Sequence, residues 1–187
     1  MRIVSGFFRG RKLKAPFGKD IRPTSDMVKE SLFNILFTKI EDSIFLDLFS
    51  GTGNIGIEAL SRGARFCYFV DNNFNSIRCL KDNLDLLDIK GKFEIINSDV
   101  SKAIEFFKKK NIKFDIIFID PPYYKNLAHQ TLIMLSDSNI LDEDGVIVVE
   151  HHKNDIIADV YNTLLKTKSK KYGETILTFY KEEIWAK

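Results

Sequence analysis

Five short apolar runs constrain what this chain can fold into. They are Ile44-Phe45-Leu46-Asp47-Leu48, Phe66-Cys67-Tyr68-Phe69-Val70, Phe93-Glu94-Ile95-Ile96-Asn97, Phe114-Asp115-Ile116-Ile117-Phe118-Ile119 and Gly145-Val146-Ile147-Val148-Val149. Each has strand length, and helical spacing returns between them, near 55–62, 73–87, 100–110 and 126–135. A strand that is apolar on both faces must be covered on both faces. The alternation therefore predicts a parallel sheet between two helix layers. Gly63 is a plausible helix stop. A helix around 154–166 and closing strands at 168–171 and 175–180 complete the expected order. Upstream, Arg2-Ile3-Val4 pairs with Arg11 to Lys14 across Gly6 to Gly10 as a hairpin. Thr24 or Ser25 then caps a helix running to about Phe37, with Val28, Leu32, Ile35 and Leu36 on one face. A chain of 187 residues without internal repeat or long linker reads as one domain, 1–187.

The first strand runs into Ser50-Gly51-Thr52-Gly53-Asn54-Ile55-Gly56. Strand, glycine-rich turn and helix together let backbone approach a ligand closely. Gly51-x-Gly53-x-x-Gly56 also fits a dinucleotide fingerprint, which alone is weak. The second strand ends in Asp71, placed to accept from ribose hydroxyls. A nicotinamide or flavin cofactor and S-adenosylmethionine both satisfy this much. Asp47, just before the turn, opposes a pyrophosphate at the helix N-terminus and suits a ligand with ammonium and sulfonium centres. Asp99, beyond the third strand, is placed to accept from an adenine amino group.

Asp120-Pro121-Pro122-Tyr123 follows the fourth strand. Proline holds φ near −65° and has no N–H, and it keeps the residue before it out of the helical region. Asp120 and Pro121 are thus held extended, with a carboxylate and a carbonyl able to face one point. Both are acceptors, and an exocyclic NH2 carries two donors. Tyr123 offers a ring on which a base can stack. An ordinary proline-stiffened turn would use the same residues, but a hydride-transfer site does not need them. The pair of motifs favours methyl transfer to an amine.

Charge is divided along the chain. Residues 1–40 carry a net +6, residues 41–150 a net −6 and residues 151–187 a net +2. Arg2, Arg9, Arg11, Lys12, Lys14, Lys19 and Arg22 crowd the first 22 residues, with Phe7, Phe8 and Phe17 among them. A basic strip bearing aromatics suits phosphate contact and base stacking, where a merely solvated arm needs no aromatics. No segment reaches the roughly 18 apolar residues of a membrane span. No apolar signal core follows the first basic residues, and Cys67 and Cys79 stand apart. The reading is a cytoplasmic protein with reduced cysteines. His151-His152 lacks a third ligand at metal-site spacing, so no metal is expected.

Several stretches occur together in order. They are Arg2-Ile3-Val4-Ser5-Gly6, Arg9-Gly10-Arg11-Lys12-Leu13, Arg22-Pro23-Thr24-Ser25-Asp26, Glu30-Ser31-Leu32-Phe33-Asn34, the Asp47 to Gly53 turn, Glu58-Ala59-Leu60-Ser61-Arg62-Gly63-Ala64 and the proline corner. The chain resembles the small-subunit methyltransferase D family, the bacterial guanine-N2 methyltransferases of 16S ribosomal RNA. The likeness covers nearly the whole length, to Tyr172-Gly173-Glu174-Thr175. The glycine turn and proline corner are shared with many amine methyltransferases, and the basic motifs are more specific.

The resemblance implies an α/β class I methyltransferase, a Rossmann-like sheet of seven strands with the last antiparallel. It implies that S-adenosylmethionine binds at Asp47, Gly51, Gly53, Asp71 and Asp99 and leaves as S-adenosylhomocysteine. Catalysis falls to Asp120, Pro121, Pro122 and Tyr123. The hairpin extension, residues 1–22, meets RNA through Arg2, Arg9, Arg11, Lys12, Lys14 and Arg22. The expected partner is 16S ribosomal RNA in an assembling small subunit, with the enzyme a monomer and no membrane involved. Met27 and Phe8 depart from the family pattern, where Arg and Trp are common, on the RNA-gripping side. An adenine-N6 or cytosine-N4 methyltransferase would use the same corner but leaves no residues here for a separate target-recognition domain. A nicotinamide-dependent oxidoreductase and a non-catalytic RNA-binding domain are the other rivals.

Overall fold

The computed structural model describes residues 1–15, 25–122 and 126–183. Arg22, Thr24 and Tyr123 lie outside the described residues. After an N-terminal hairpin come α1 (Asp26–Ile35), α2 (Phe37–Ile40), β1 (Ile44–Leu48), α3 (Asn54–Ser61), β2 (Phe66–Asp71), α4 (Phe74–Leu86) and β3 (Phe93–Asn97). Then follow α5 (Val100–Lys110), β4 (Phe114–Ile119), α6 (Leu127–Ser136), β5 (Leu141–His152), β6 (Val160–Tyr161), β7 (Leu164–Tyr172) and β8 (Thr175–Glu182). All strands join one sheet in the order β3-β2-β1-β4-β5-β8-β7-β6. β1 to β5 pair in parallel, and β8 runs antiparallel between β5 and β7.

The sheet separates two cores. One holds Phe45, Phe69, Ile116, Phe118, Val148, Leu177 and Phe179 with the buried faces of α1, α3 and α4. The other holds Leu46, Leu48, Val70, Ile117, Ile119, Ile147 and Val149 with those of α5 and α6. Alternate residues of each strand thus enter alternate cores, which is why the strands read as continuous apolar runs. Strand order reverses between β1 and β4, so a crevice opens at their carboxyl ends.

The structure differs from expectation in one element and at several boundaries, among them the first helix, which ends at Ile35 before a short α2. The segment 154–166 is not a helix. Ile156, Val160 and Leu164 recur at a four-residue spacing that mimics a helical stripe, but Ile156 is 87% exposed. Asn162 instead adopts φ 42° in a tight turn between β6 and β7. The sheet therefore gains β6 beyond the seven expected strands. β5 also begins at Leu141 rather than near 145, with a register shift against β4 between Phe114 and Ile116.

The hairpin is fastened to α3 and α1 through buried charge. Lys29 and Glu58 are both 0% exposed, 3.2 Å apart. The Glu58 carboxylate also accepts from Val4 N–H at 2.8 Å, Ser5 N–H at 2.9 Å and Arg62 Nε at 2.8 Å. Lys29 Nζ donates to the Arg2 carbonyl at 2.6 Å and to Asn54 Oδ1 at 2.9 Å. Burial lowers the Lys29 pKa while Glu58 raises it. Gly6, at φ +81°, lets the hairpin touch α3, since a Cβ there would lie 1.8 Å from the Ser61 carbonyl oxygen.

Glu58→Ala should therefore cost about 3–5 kcal/mol, the usual penalty for stranding one buried charge. Denaturant midpoints of the two proteins check this, and unchanged stability would show the pair to be dispensable.

Candidate active site and nucleic-acid surface

The site forms where β1 to β4 end. Gly53 takes φ +81° at the start of α3, where a Cβ would meet a Leu80 methyl at 2.4 Å. Gly56 packs α3 on β2, where a Cβ would fall 2.3 Å from the Phe69 ring and 2.7 Å from Cys67 Sγ. Gly51, at φ +54°, has open space around its Cα. Its N–H donates to Asp71 Oδ2 at 2.7 Å, and Asp71 Oδ1 accepts from Asn73 N–H at 2.8 Å. The turn is thus tied to the end of β2 by the acidic residue singled out in the sequence.

Asp47 is 2% exposed and accepts from Gly56 N–H at 2.9 Å. Burial pushes its carboxyl up to about 8, the Gly56 N–H pulls it down, and the nearby carboxylates of Asp120 and Asp71 add to the rise. Three carboxylates therefore act on one small region. Asp120 itself is set by its N–H on the Leu48 carbonyl at 3.4 Å, which closes the mouth of β4 against β1. Pro121 is buried and Pro122 exposed.

Beside the turn lies a cleft of about 490 Å³ lined by Phe49, Asp71, Asn72, Asp99, Gln130 and Met134 among others. That volume suits a nucleoside-sized ligand. Asp99 begins α5 without capping it; its Oδ1 instead accepts from Asn72 Nδ2 at 2.7 Å. Phe49 holds φ 63°, a conformation a bulky residue rarely takes. Ser50 Oγ is buried without a hydrogen-bond partner among the described residues. A buried hydroxyl at the glycine turn with no partner fits a loop shaped for a polar ligand.

Sequence reasoning missed Phe49, Ser50, Asn72, Gln130 and Met134. Asn72 was within reach, as the neighbour of Asp71, but nothing in the sequence signals the φ of Phe49. His151 was left without a role. It is buried, with Nε2 2.9 Å from Thr178 Oγ1.

The basic residues gather on the hairpin, away from that cleft. Arg2 pairs with Asp26 at 2.8 Å, Lys14 with Asp82 at 2.9 Å, and Arg11 donates to the Leu86 carbonyl at 3.3 Å. Arg9 and Lys12 are exposed. Phe7 is 86% exposed and meets Phe8 edge-on at 5.0 Å. The hairpin also reaches the glycine turn, because Asn83 accepts from Lys14 N–H at 2.7 Å and donates to the Thr52 carbonyl at 3.1 Å.

This fold, with its glycine turn at the switch point and an acidic residue ending β2, is that of the class I methyltransferases. A family model described as conserved hypothetical protein 95 matches residues 1–181. Ribosomal RNA small subunit methyltransferase D of Haemophilus influenzae is 39% identical over 173 residues, 90% of this chain and 88% of that protein. Bacillus subtilis YlbH is 38% identical over 182 residues, 97% of this chain and 99% of that protein. The solved structure of Escherichia coli yhhF has a TM-score of 0.84 at 34% sequence identity, covering 98% of both chains. The chain belongs to the small-subunit ribosomal RNA methyltransferase D family.

Asp47 makes stability depend on pH in the cofactor-free protein. Its folded pKa of about 8 lies far above the ordinary carboxyl value of about 4. Its contribution is fully present below about pH 4, declines as pH rises and the unfolded chain sheds its proton first, and is lost above about pH 8. Asp47→Asn keeps an acceptor for Gly56 N–H and cannot titrate. Melting curves between about pH 5 and 8 should fall more steeply for the parent than for the variant, and parallel curves would mean that Asp47 is ionised throughout.

Proposed function

We propose that this protein transfers a methyl group from S-adenosylmethionine to the exocyclic N2 amine of a guanine in 16S ribosomal RNA. The observation that carries the reading is the convergence of Asp47, Asp71 and Asp120 on the glycine turn. The Asp71 carboxylate, held against the Gly51 N–H, disfavours a pyrophosphate there and favours a cationic ligand. The names of the relatives supply the substrate class, and the open backbone at Gly51 with the unpaired Ser50 hydroxyl suits a small polar ligand.

When bound, the cofactor supplies an electrophilic methyl on a sulfonium. Gly51 and Gly53 would hold its methionine part near the backbone, Asp71 its ribose hydroxyls and Asp99 its adenine edge. Asp47, buried and with its carboxyl pushed up to about 8, contributes through the shape it gives the turn by accepting from Gly56 N–H. The guanine leaves its stack or lies in a loop where leaving is cheap. Asp120 and the Pro121 carbonyl then accept from the amine, which turns its lone pair toward the methyl. Pro122 stiffens the corner, and Tyr123 stacks on the base. Positioning and fixed acceptors do the work, with no covalent intermediate. Arg9, Arg11 and Lys12 would meet phosphates while Phe7 presents a ring to a base.

Small subunits incubated with labelled S-adenosylmethionine should yield N2-methylguanosine, and label in another nucleoside would reject the proposed chemistry. Asp120→Ala should abolish transfer with nearly unchanged cofactor affinity, since its role lies in turnover. Asp71→Ala should instead weaken calorimetric cofactor binding by about 1–3 kcal/mol. Near-parental turnover in Asp120→Ala would reduce the corner to a turn.

A further inference from the structure

We infer that the groove between α1 and β7 is a second RNA-contact surface, where Lys168 and Lys170 take phosphates of the strand carrying the target nucleotide. This rests on the function proposed above and adds to it a surface separate from the hairpin.

The placement follows from sheet register. Ile119 pairs with Val149, Val149 with Thr178, and Thr178 with Ser169. One step further along the chain, Asp120 is level with Glu150, which pairs with Leu177, which pairs with Lys170. Lys170 therefore stands in the same row as Asp120. Three inter-strand spacings separate them, roughly 14 Å across the sheet. β7 runs parallel to β5, so this is the edge at which the proposed active site opens.

Both lysines also project to the helix face where the hairpin lies. Lys168 is opposite Phe179 and Lys170 opposite Leu177, and those two residues belong to the core beneath α1. Between them and α1 is a groove of about 580 Å³ with Met27, Glu30, Ser31 and Asn34 on its other wall. Met27 is 63% exposed. An apolar side chain beside amide and hydroxyl groups suits a base or ribose, and the lysines suit the backbone.

Ion pairing alone does not single out these lysines, since Lys12, Lys81 and Lys102 also make none among the described residues; what sets them apart is the groove wall they share. Lys14, Lys153 and Lys166 each meet a carboxylate. Lys168, Lys170 and Lys171 make no ion pair among the described residues, and Glu30 is the one acid lining the groove. Lysines on a strand edge also discourage pairing between sheets, and β6 covers only Leu164 and Leu165 of β7. That role does not require two of them to share a groove wall, one of them in the row of Asp120.

The test compares the parent protein with Lys168→Gln/Lys170→Gln on deproteinised 16S ribosomal RNA and on intact small subunits, across a salt series. Losing two single-strand phosphate contacts should lower the slope of log affinity against log salt by about 1.4 and weaken binding about tenfold at low salt. Calorimetric affinity for S-adenosylmethionine should stay unchanged, and Lys168→Arg/Lys170→Arg should keep the parental slope. Equal affinities and slopes for parent and glutamine variant overturn the inference. Loss on subunits alone, with naked RNA unaffected, overturns it in favour of a protein partner. A parent that binds no ribosomal RNA removes the proposed function as well, whereas a parent that methylates RNA beside an unaltered variant removes only the groove.

Discussion

The contact between Lys29 and Glu58 is the constraint on which the rest of the molecule depends. A carboxylate with no exposure persists only when its oxygens are met by donors. Glu58 is met by the hairpin backbone at Val4 and Ser5, by Lys29 from α1 and by Arg62 one turn further along α3. Lys29 in turn grips the Arg2 carbonyl and Asn54, the first residue of α3 after the glycine turn. Three segments distant in sequence are thereby joined at one point. The basic arm and the ligand turn share a support, although their exposed residues face different tasks.

The turn itself combines permissive and strained backbone. Gly53 and Gly56 let α3 approach β2 and α4, as the clashes of a Cβ with Leu80 and Phe69 show. Phe49 carries a positive φ that no glycine relieves. Ser50 N–H on the Val70 carbonyl and Gly51 N–H on Asp71 pin the loop on its far side. A loop over-determined in this way is already shaped before any ligand arrives, which lowers the ordering cost of binding.

Most of the architecture was legible because it rests on periodicity. The five apolar runs became β1 to β5, and the glycine turn and Asp71 met where a parallel sheet must bring them. Legibility failed where two periods agree with one set of residues. Ile156, Val160 and Leu164 satisfy a helical stripe, but the positive φ of Asn162 turns the chain back into a strand pair. It failed again where meaning comes from distant partners. Glu58 reads as one charge on a short helix, and only the folded chain shows it enclosed by α1 and the hairpin. Lys168 and Lys170 read only as part of a closing strand until register sets Lys170 level with Asp120. For Tyr123 and Arg22, which lie outside the described residues, the sequence is the sole guide.

The position of β8 bears on how the chain is made. It is the last described element, yet it lies between β5 and β7 and buries Leu177, Phe179 and Tyr180. Until residues 175–182 have emerged from the ribosome, β5 lacks its outer neighbour and β7 has no strand to join it to the sheet. Both cores stay open along that seam. Closure during synthesis is therefore a late event, requiring insertion between two strands already present rather than addition at a margin. During that interval the exposed margin of β5, apolar from Val146 to Val149, is the part of the nascent protein most open to wrong pairing.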